Sequence, residues 1–261
     1  MLKSFIKFIS IIIGRFLFFS PTWDHIRKNC FNFPGQNFHE EIKNKSKILF
    51  YLNKSYYSYF NYRYKNLPQR EFQKVHWDDY GIYYYENRDG MELNEIFIKN
   101  FKDMLINTDS VLEIGCGGFI LTKYLAKRNP NVKFYGYDLS ESSEQIYKNK
   151  VKSEYKNIYF KKSNIFDDMK FIEKVPFIYT YNVFMHFNEY DINIFFEFIS
   201  NMQNAVTLIL QEPYTNRCMS FNYKEKDYLH NYEEYIKKYN FKLLDLNLST
   251  PDSGIFYFAT N

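Results

Sequence analysis

The sequence predicts an α/β protein: a doubly wound, seven-stranded, mostly parallel sheet behind a helical, aromatic-rich N-terminal extension. Three observations carry that prediction. Strand and helix patterns alternate over about the last 150 residues, the signature of parallel strands joined by crossover helices. A glycine turn, Gly115-Cys116-Gly117-Gly118, links the first strand pattern directly to a helix pattern. The last two strand patterns are separated only by Ser249 to Gly254, too short for a crossover helix, so those two strands pair antiparallel.

The first residues, MLKSFIKFISIIIGRFLFF, are apolar, but Lys7 and Arg15 interrupt the uncharged run of about 18 residues that a spanning helix needs. Ser20-Pro21-Thr22-Trp23 is not a secretory cleavage signal. On a helix, Lys3, Lys7, Ser10 and Gly14 share one narrow stripe with Arg15 beside it. Two roles remain open for such a helix: residues 1–20 lie on a membrane surface, or they pack internally as a lid or dimer element. The stretch FYLNKSYYSYFNYRYKN, residues 50–66, interleaves Tyr with Lys and Arg. That pattern fits base stacking, a sugar site, or a helix or hairpin with one buried aromatic face. Leu67-Pro68 reads as a break, and a boundary falls near His76, with Gly81 and Asp89-Gly90 as turn signals beyond it. The expected organisation is a basic, aromatic extension over residues 1–76 and a ligand-binding domain over 77–261.

Charge supports that division. Residues 1–76 hold 13 Lys and Arg against 4 Asp and Glu, while the remainder holds 21 against 26. A basic first third on an acidic body is suited to an anionic partner, or is simply a solvated basic face. Aromatic content reaches 21%, but Phe, Tyr, Asn, Lys and Ile are all abundant together, as in an AT-rich coding sequence. Cys30, Cys116 and Cys218 have no metal-ligand spacing, so no metal site and no disulfide framework is expected, in keeping with a reduced, cytoplasmic setting. His39-Glu40-Glu41 and His76-Trp77-Asp78-Asp79 likewise lack ligand spacing and read as structural.

The body reads in order as a helix MELNEIFIKNFKDML and a strand SVLEI, then a helix FILTKYLAKRN and a strand KFYGYDL. Next come a helix SESSEQIYKNK, strands NIYFKK and FIYTYNVF, a helix YDINIFFEFISNM and a strand VTLILQE. A helix YEEYIKKY and strands FKLLDLNL and GIFYFAT close the chain. Ligands of such sheets sit at the carboxyl ends of the strands. There Gly115 permits a tight turn, and Gly117 and Gly118 allow close approach of a ligand to the backbone. The dinucleotide fingerprint is not met, because Ile120 occupies the third glycine position. Asp138 ends the second strand, placed to accept both hydrogen bonds of a ribose diol, or else to start the next helix. Glu113, in an otherwise apolar strand, needs partners if buried, and orders the loop or meets a cationic ligand.

The segments VLEIGCGGF, YGYDLSE, SNIF, YTYNVFMHF and LILQEPY, with the antiparallel terminal strand, resemble class I, Rossmann-like methyltransferases dependent on S-adenosyl-L-methionine, of the small-molecule type. The resemblance covers residues 93–261. It implies that Glu113, Gly115, Cys116, Gly117 and Gly118 form the methionine-side loop and that Asp138 holds the ribose. It also implies that Leu139, Asn164 and Ile165 flank the adenine and that Asn182 faces the methionine part. The chain departs from the family pattern at Phe119, where the next glycine usually stands, and at Asn164, where Asp is common.

After the fourth strand the chain reads Asn182-Val183-Phe184-Met185, not the Asn/Asp-Pro-Pro-Tyr-like run of base-amino methylation, and no clear nucleic-acid signature is present. VFMHF is similar to the VLHH-like segment of many small-molecule methyltransferases. That places His186 as a general base for a hydroxyl, or else as a packing loop histidine. Glu212 closes the fifth strand on the same side and binds substrate or orients the base. Arg217 follows and is placed to meet an anionic group. From before the body, Tyr83, Tyr84 and Arg88 are placed to close over the methionine carboxylate, with Tyr84, Arg88 and Arg217 the candidate substrate-binding residues. The expected function is O-methylation of a small-molecule or saccharide hydroxyl, such as a bacterial surface polysaccharide precursor, in the cytoplasm or at the inner membrane face. Two alternatives are a non-catalytic binding module, suggested by Phe119 and Asn164, and an RNA methyltransferase using the basic first third. A short-chain dehydrogenase is excluded, because no Tyr has Lys four residues on.

Overall fold

The computed structural model describes residues 2–20, 22–23, 46–64, 66–86, 98–99, 101, 105, 108–214, 220–222, 227–250 and 253–260. They divide into two compact units, one of Met1–Phe72 with Tyr83–Asp89, the other of Gln73–Ile82 with Gly90–Asn261.

The first unit is helical. Helix α1, Leu2–Phe18, packs along α2, Lys47–Tyr64. Gly14 permits the approach, since a Cβ there would lie 1.9 Å from the Ser55 carbonyl oxygen. Phe18 rests on the rings of Tyr56, Tyr59 and Phe60, with the Arg63 guanidinium 5.0 Å above it. The basic, aromatic stretch is therefore a helix with its aromatic face turned inward. Helix α3, Gln69–Glu86, follows and contributes its middle, Gln73–Ile82, to the second unit. It runs through His76 and Gly81 without a break. Gly81, read above as a turn signal, is buried within the helix.

The second unit contains every expected strand. They are β1, Ser110–Ile114; β2, Lys133–Asp138; β3, Ile158–Lys162; β4, Phe177–Tyr181; and β5, Thr207–Pro213. A small hairpin follows, β6, Ser220–Asn222, with β7, Asp227–Leu229, which the sequence patterns did not reveal because each strand is three residues long. The chain ends with β8, Lys242–Thr250, and β9, Ser253–Ala259. The main sheet runs β3-β2-β1-β4-β5-β9-β8. The first five strands are parallel, and β9 inserts antiparallel between β5 and β8.

Helix α4, Ile120–Arg128, follows β1, and α5, Glu141–Ile146, follows β2 and continues through a π turn over Tyr147–Val151. Helix α6, Glu189–Ser200, joins β4 to β5, and α7, Tyr232–Lys238, precedes β8. Side-chain oxygens cap three of these N-termini: Ser140 accepts from Ser143 N, Asn188 from Asp191 N, and Asn231 from Glu234 N. Strand alternation splits the apolar residues between two faces. Leu112, Ile114, Ile178, Leu208 and Leu210 join Ile192, Phe195 and Phe196 of α6 and Tyr235 of α7 in one buried cluster. Val111, Glu113, Tyr179 and Ile209 point the other way and are buried too. A sheet covered on both faces opens to ligands only at its strand ends, which is where the site lies.

Candidate functional site

The glycine turn is held by the neighbouring strand. Gly115 N and Cys116 N both donate to the Tyr137 carbonyl, at 2.7 and 3.2 Å. Gly115 (φ 70°) and Gly117 (φ 47°) are left-handed, and a Cβ on Gly115 would lie 2.3 Å from Val183. Gly136, unremarked in the sequence, is needed for the same reason, because its Cβ would lie 2.7 Å from Cys116 Sγ. The third left-handed residue of the turn is Phe119 (φ 59°), whereas Gly118 is not left-handed. The Phe119 ring points away from the turn into the core, against Tyr147 and Phe160. The bulky ring at this departure from the family pattern is thus accommodated in the core.

Asp138 closes the turn. Its Oδ2 accepts from Gly117 N at 3.0 Å, and its Oδ1 accepts from Ser140 N at 2.9 Å and Ser140 Oγ at 2.7 Å. Burial raises its pKa, and these hydrogen bonds oppose the rise. The Oδ2 atom accepts the Gly117 amide on the side of the glycine turn, and a carboxylate oxygen has a second lone pair with which to accept a ligand hydroxyl. Leu139 follows, half-buried, and Ser163 N donates to the Asp138 carbonyl at 3.0 Å, bringing the end of β3 to the same point. There Asn164 accepts from Phe166 N at 3.1 Å and Ile165 is buried.

Glu113 lies beneath the turn, fully enclosed. Its Oε2 accepts from the Thr122 hydroxyl of α4 and from Tyr179 OH at 3.0 Å. Burial pushes its carboxyl up to about 8, against the lowering effect of those two bonds. The Cys116 thiol, also buried, is pushed well above its usual value. Neither Thr122 nor Tyr179 could be singled out from sequence, since Tyr179 meets Glu113 only when β1 and β4 pair and Thr122 only when α4 packs back on β1.

Beyond β4 the chain turns sharply at Asn182 (φ 56°) into a single 3-10 turn, Phe184–His186. Two buried groups fix this loop. Glu212 Oε1 accepts from Thr180 Oγ1 at 2.6 Å and Val183 N at 2.9 Å, and its Oε2 accepts from Met185 N at 3.4 Å. His230 Nε2 donates to the carbonyls of Phe184 and Phe187, at 3.2 and 2.9 Å. Burial raises the Glu212 carboxyl and pulls the His230 imidazole down to about 4. His230 was missed in the sequence because it precedes a helix 46 and 43 positions beyond the two carbonyls it holds. His186 itself is half-buried, with its ring edge-on to Trp77 of α3 at 5.9 Å. Trp77 O accepts from Ser142 Oγ at 2.9 Å, and Asp78 Oδ1 accepts from Glu141 N at 2.6 Å, capping the start of α5.

The structure thus gathers Glu113, Gly115, Cys116, Gly117, Asp138, Asn164, Asn182, His186 and Glu212 along the carboxyl ends of β1 to β5. Arg88 and Arg217 lie outside the described residues, as do the side chains of Tyr83 and Tyr84. Among the described residues no group of His, Cys, Asp or Glu is arranged to hold a metal ion.

Residues 111–204, from β1 through α6, match the family model described as a methyltransferase domain. Over that segment the chain is similar to methyltransferase domains. The fold is similar to that of solved methyltransferases. One is magnesium protoporphyrin IX methyltransferase from Synechocystis with bound S-adenosylhomocysteine, 12% identical, covering 74% of this chain and 100% of that one at a TM-score of 0.55. Another is human N-acetylserotonin methyltransferase in complex with S-adenosylmethionine, 11% identical, covering 77% of this chain and 62% of that one at a TM-score of 0.59. No curated protein sequence matches the chain. The matched methyltransferase segment holds Glu113, the glycine turn, Asp138, Asn164, Asn182 and His186, whereas Glu212 and His230 lie beyond it.

Proposed function

We propose that the protein transfers a methyl group from S-adenosylmethionine to a hydroxyl of a small molecule or saccharide, such as a precursor of a bacterial surface polysaccharide. The observation that carries this reading is the join between Gly117 N and the Asp138 carboxylate, which leaves an acceptor beside a turn whose glycines carry no side chain. The residues fit the cofactor. Asp138 would hold the ribose diol, Leu139, Asn164 and Ile165 the adenine side, and Asn182 and the glycine turn the methionine side. Glu113, protonated up to about 8 beneath the turn, would gain a partner in a nearby cation and lose its proton. When bound, the cofactor supplies an electrophilic methyl on a sulfonium.

The chain must then orient the acceptor and remove its proton. His186 is the candidate base, an imidazole carried on a loop whose backbone Glu212 and His230 hold from two sides. Glu212, with both oxygens occupied by protein donors, acts in this scheme by positioning that loop. Trp77 fixes one edge of the imidazole. Tyr84, Arg88 and Arg217 are proposed on the acceptor side. A cytoplasmic location, with residues 1–20 at the inner face of the membrane, goes with this reading.

The test is methyl transfer from labelled S-adenosylmethionine to a panel of hydroxylated acceptors, including nucleotide sugars and oligosaccharides. His186→Ala should lower kcat by about a hundredfold or more while leaving cofactor affinity unchanged. Full turnover in that variant would remove His186 as the base. Cofactor binding with no turnover on any acceptor would favour a non-catalytic module.

A further inference from the structure

The inward face of α1 is formed by Ser10, Ile11, Gly14, Leu17 and Phe18, which are the residues removed from solvent along the helix. Two of the residues on the polar stripe noted in the sequence, Ser10 and Gly14, therefore point at α2. The opposite face is left to water, and it is wholly apolar: Phe8, Ile9, Ile12, Ile13 and Phe16, with Phe16 74% and Phe8 60% exposed. These positions sweep almost half the helix circumference. A contiguous apolar face of this kind marks an interaction surface.

Charge indicates the partner. Helices α1 and α2 carry Lys3, Lys7, Arg15, Lys47, Lys54 and Arg63 and no Asp or Glu, within a segment of 13 basic and 4 acidic residues. Lys7, Arg15, Lys47 and Lys54 are exposed. Two copies docked through this face would bring like charges together, whereas anionic headgroups would neutralise them. Crossing the bilayer is not the mode, since no described helix is long and apolar enough to span. A helix of 17 residues, about 25 Å long, with an apolar outward face and Arg15 at its edge, is suited to lying flat at the headgroup boundary.

We infer that the outward face of α1 docks on a membrane surface rich in anionic lipid, the apolar side chains entering the interface and the exposed basic side chains of the helix pair, Arg15 nearest the apolar face, meeting the headgroups. This deepens the location proposed above and does not depend on the methyl-transfer chemistry.

The experiment is co-sedimentation of the full chain with vesicles of phosphatidylcholine alone and with about one third phosphatidylglycerol. The expected result is binding to the anionic vesicles at least about tenfold tighter than to the neutral ones, weakened by about 0.5 M salt. The double variant Ile12→Ser, Phe16→Ser should lose at least about tenfold in vesicle binding with an unchanged circular dichroism spectrum. The inference is overturned if the wild type does not bind the anionic vesicles, or if the variant binds as well as the wild type. It is also overturned if the protein is instead a dimer that the double variant dissociates. Vesicle binding by a protein that fails to take up S-adenosylhomocysteine would support this inference and count against the methyl-transfer reading.

Discussion

A left-handed backbone costs a residue such as Phe119 about 1–2 kcal/mol relative to glycine. The ring more than offsets this, because it is fully buried against Tyr147 and Phe160, and deleting a buried Phe typically costs about 3–5 kcal/mol. Gly136 opposite leaves the room that both Phe119 and Cys116 occupy. Glu113 is a different bargain, a carboxyl held at about 8 by burial with Thr122 and Tyr179 as partners. Its folded pKa lies above its ordinary value of 4.5, so the folded state binds its proton more tightly than the unfolded chain does. The stability it contributes is complete below pH 4.5 and is lost as pH rises through about 8. Chemical unfolding of wild type and Glu113→Gln across that range should show the wild type losing ground to the variant as pH rises. A constant difference between the two would refute the assignment.

At the scale of the element, the loop from Asn182 to Asn188 is the part of the site most dependent on distant residues. Its amides turn to Glu212 at the end of β5, and its carbonyls turn to His230 before α7. Removing His230 leaves two carbonyls without their donor, so His230→Ala should cost roughly 2 kcal/mol at neutral pH. The imidazole sits at about 4 when folded against an ordinary 6.5, so its contribution is present above 6.5 and disappears as pH falls to about 4. The wild type and His230→Ala should therefore converge in stability as pH falls through that window, measured by the same unfolding experiment. The strands and helices around this loop were legible in the sequence, since their apolar periods differ clearly. The clamp was not, because a lone His next to a helix start carries no pattern until the sheet brings β5 and α7 to the loop.

On the scale of the whole molecule, the alternation of patterns and the short link between β8 and β9 were enough to anticipate the sheet and its antiparallel end. That β9 inserts between β5 and β8 was not anticipated, because pairing order depends on contacts no local pattern records. The glycine turn and Asp138 were legible because close backbone approach restricts residue type at a fixed spacing. The N-terminal helix was read only in part: its amphipathic stripe was visible, but its direction was not. The small residues face inward, where Gly14 lets two helices touch, and the apolar face is left outward.

The central claim is that the turn at Gly115 to Gly118, closed by Asp138, holds S-adenosylmethionine. Calorimetric titration of the protein with S-adenosylmethionine, S-adenosylhomocysteine and NAD, repeated with Asp138→Ala, tests it most directly. The account predicts micromolar-range binding of both sulfur compounds and none of NAD, with the substitution weakening binding by about tenfold or more as charge-assisted hydrogen bonds to the ribose are lost. Binding of NAD alone, or equal binding by Asp138→Ala, would contradict it.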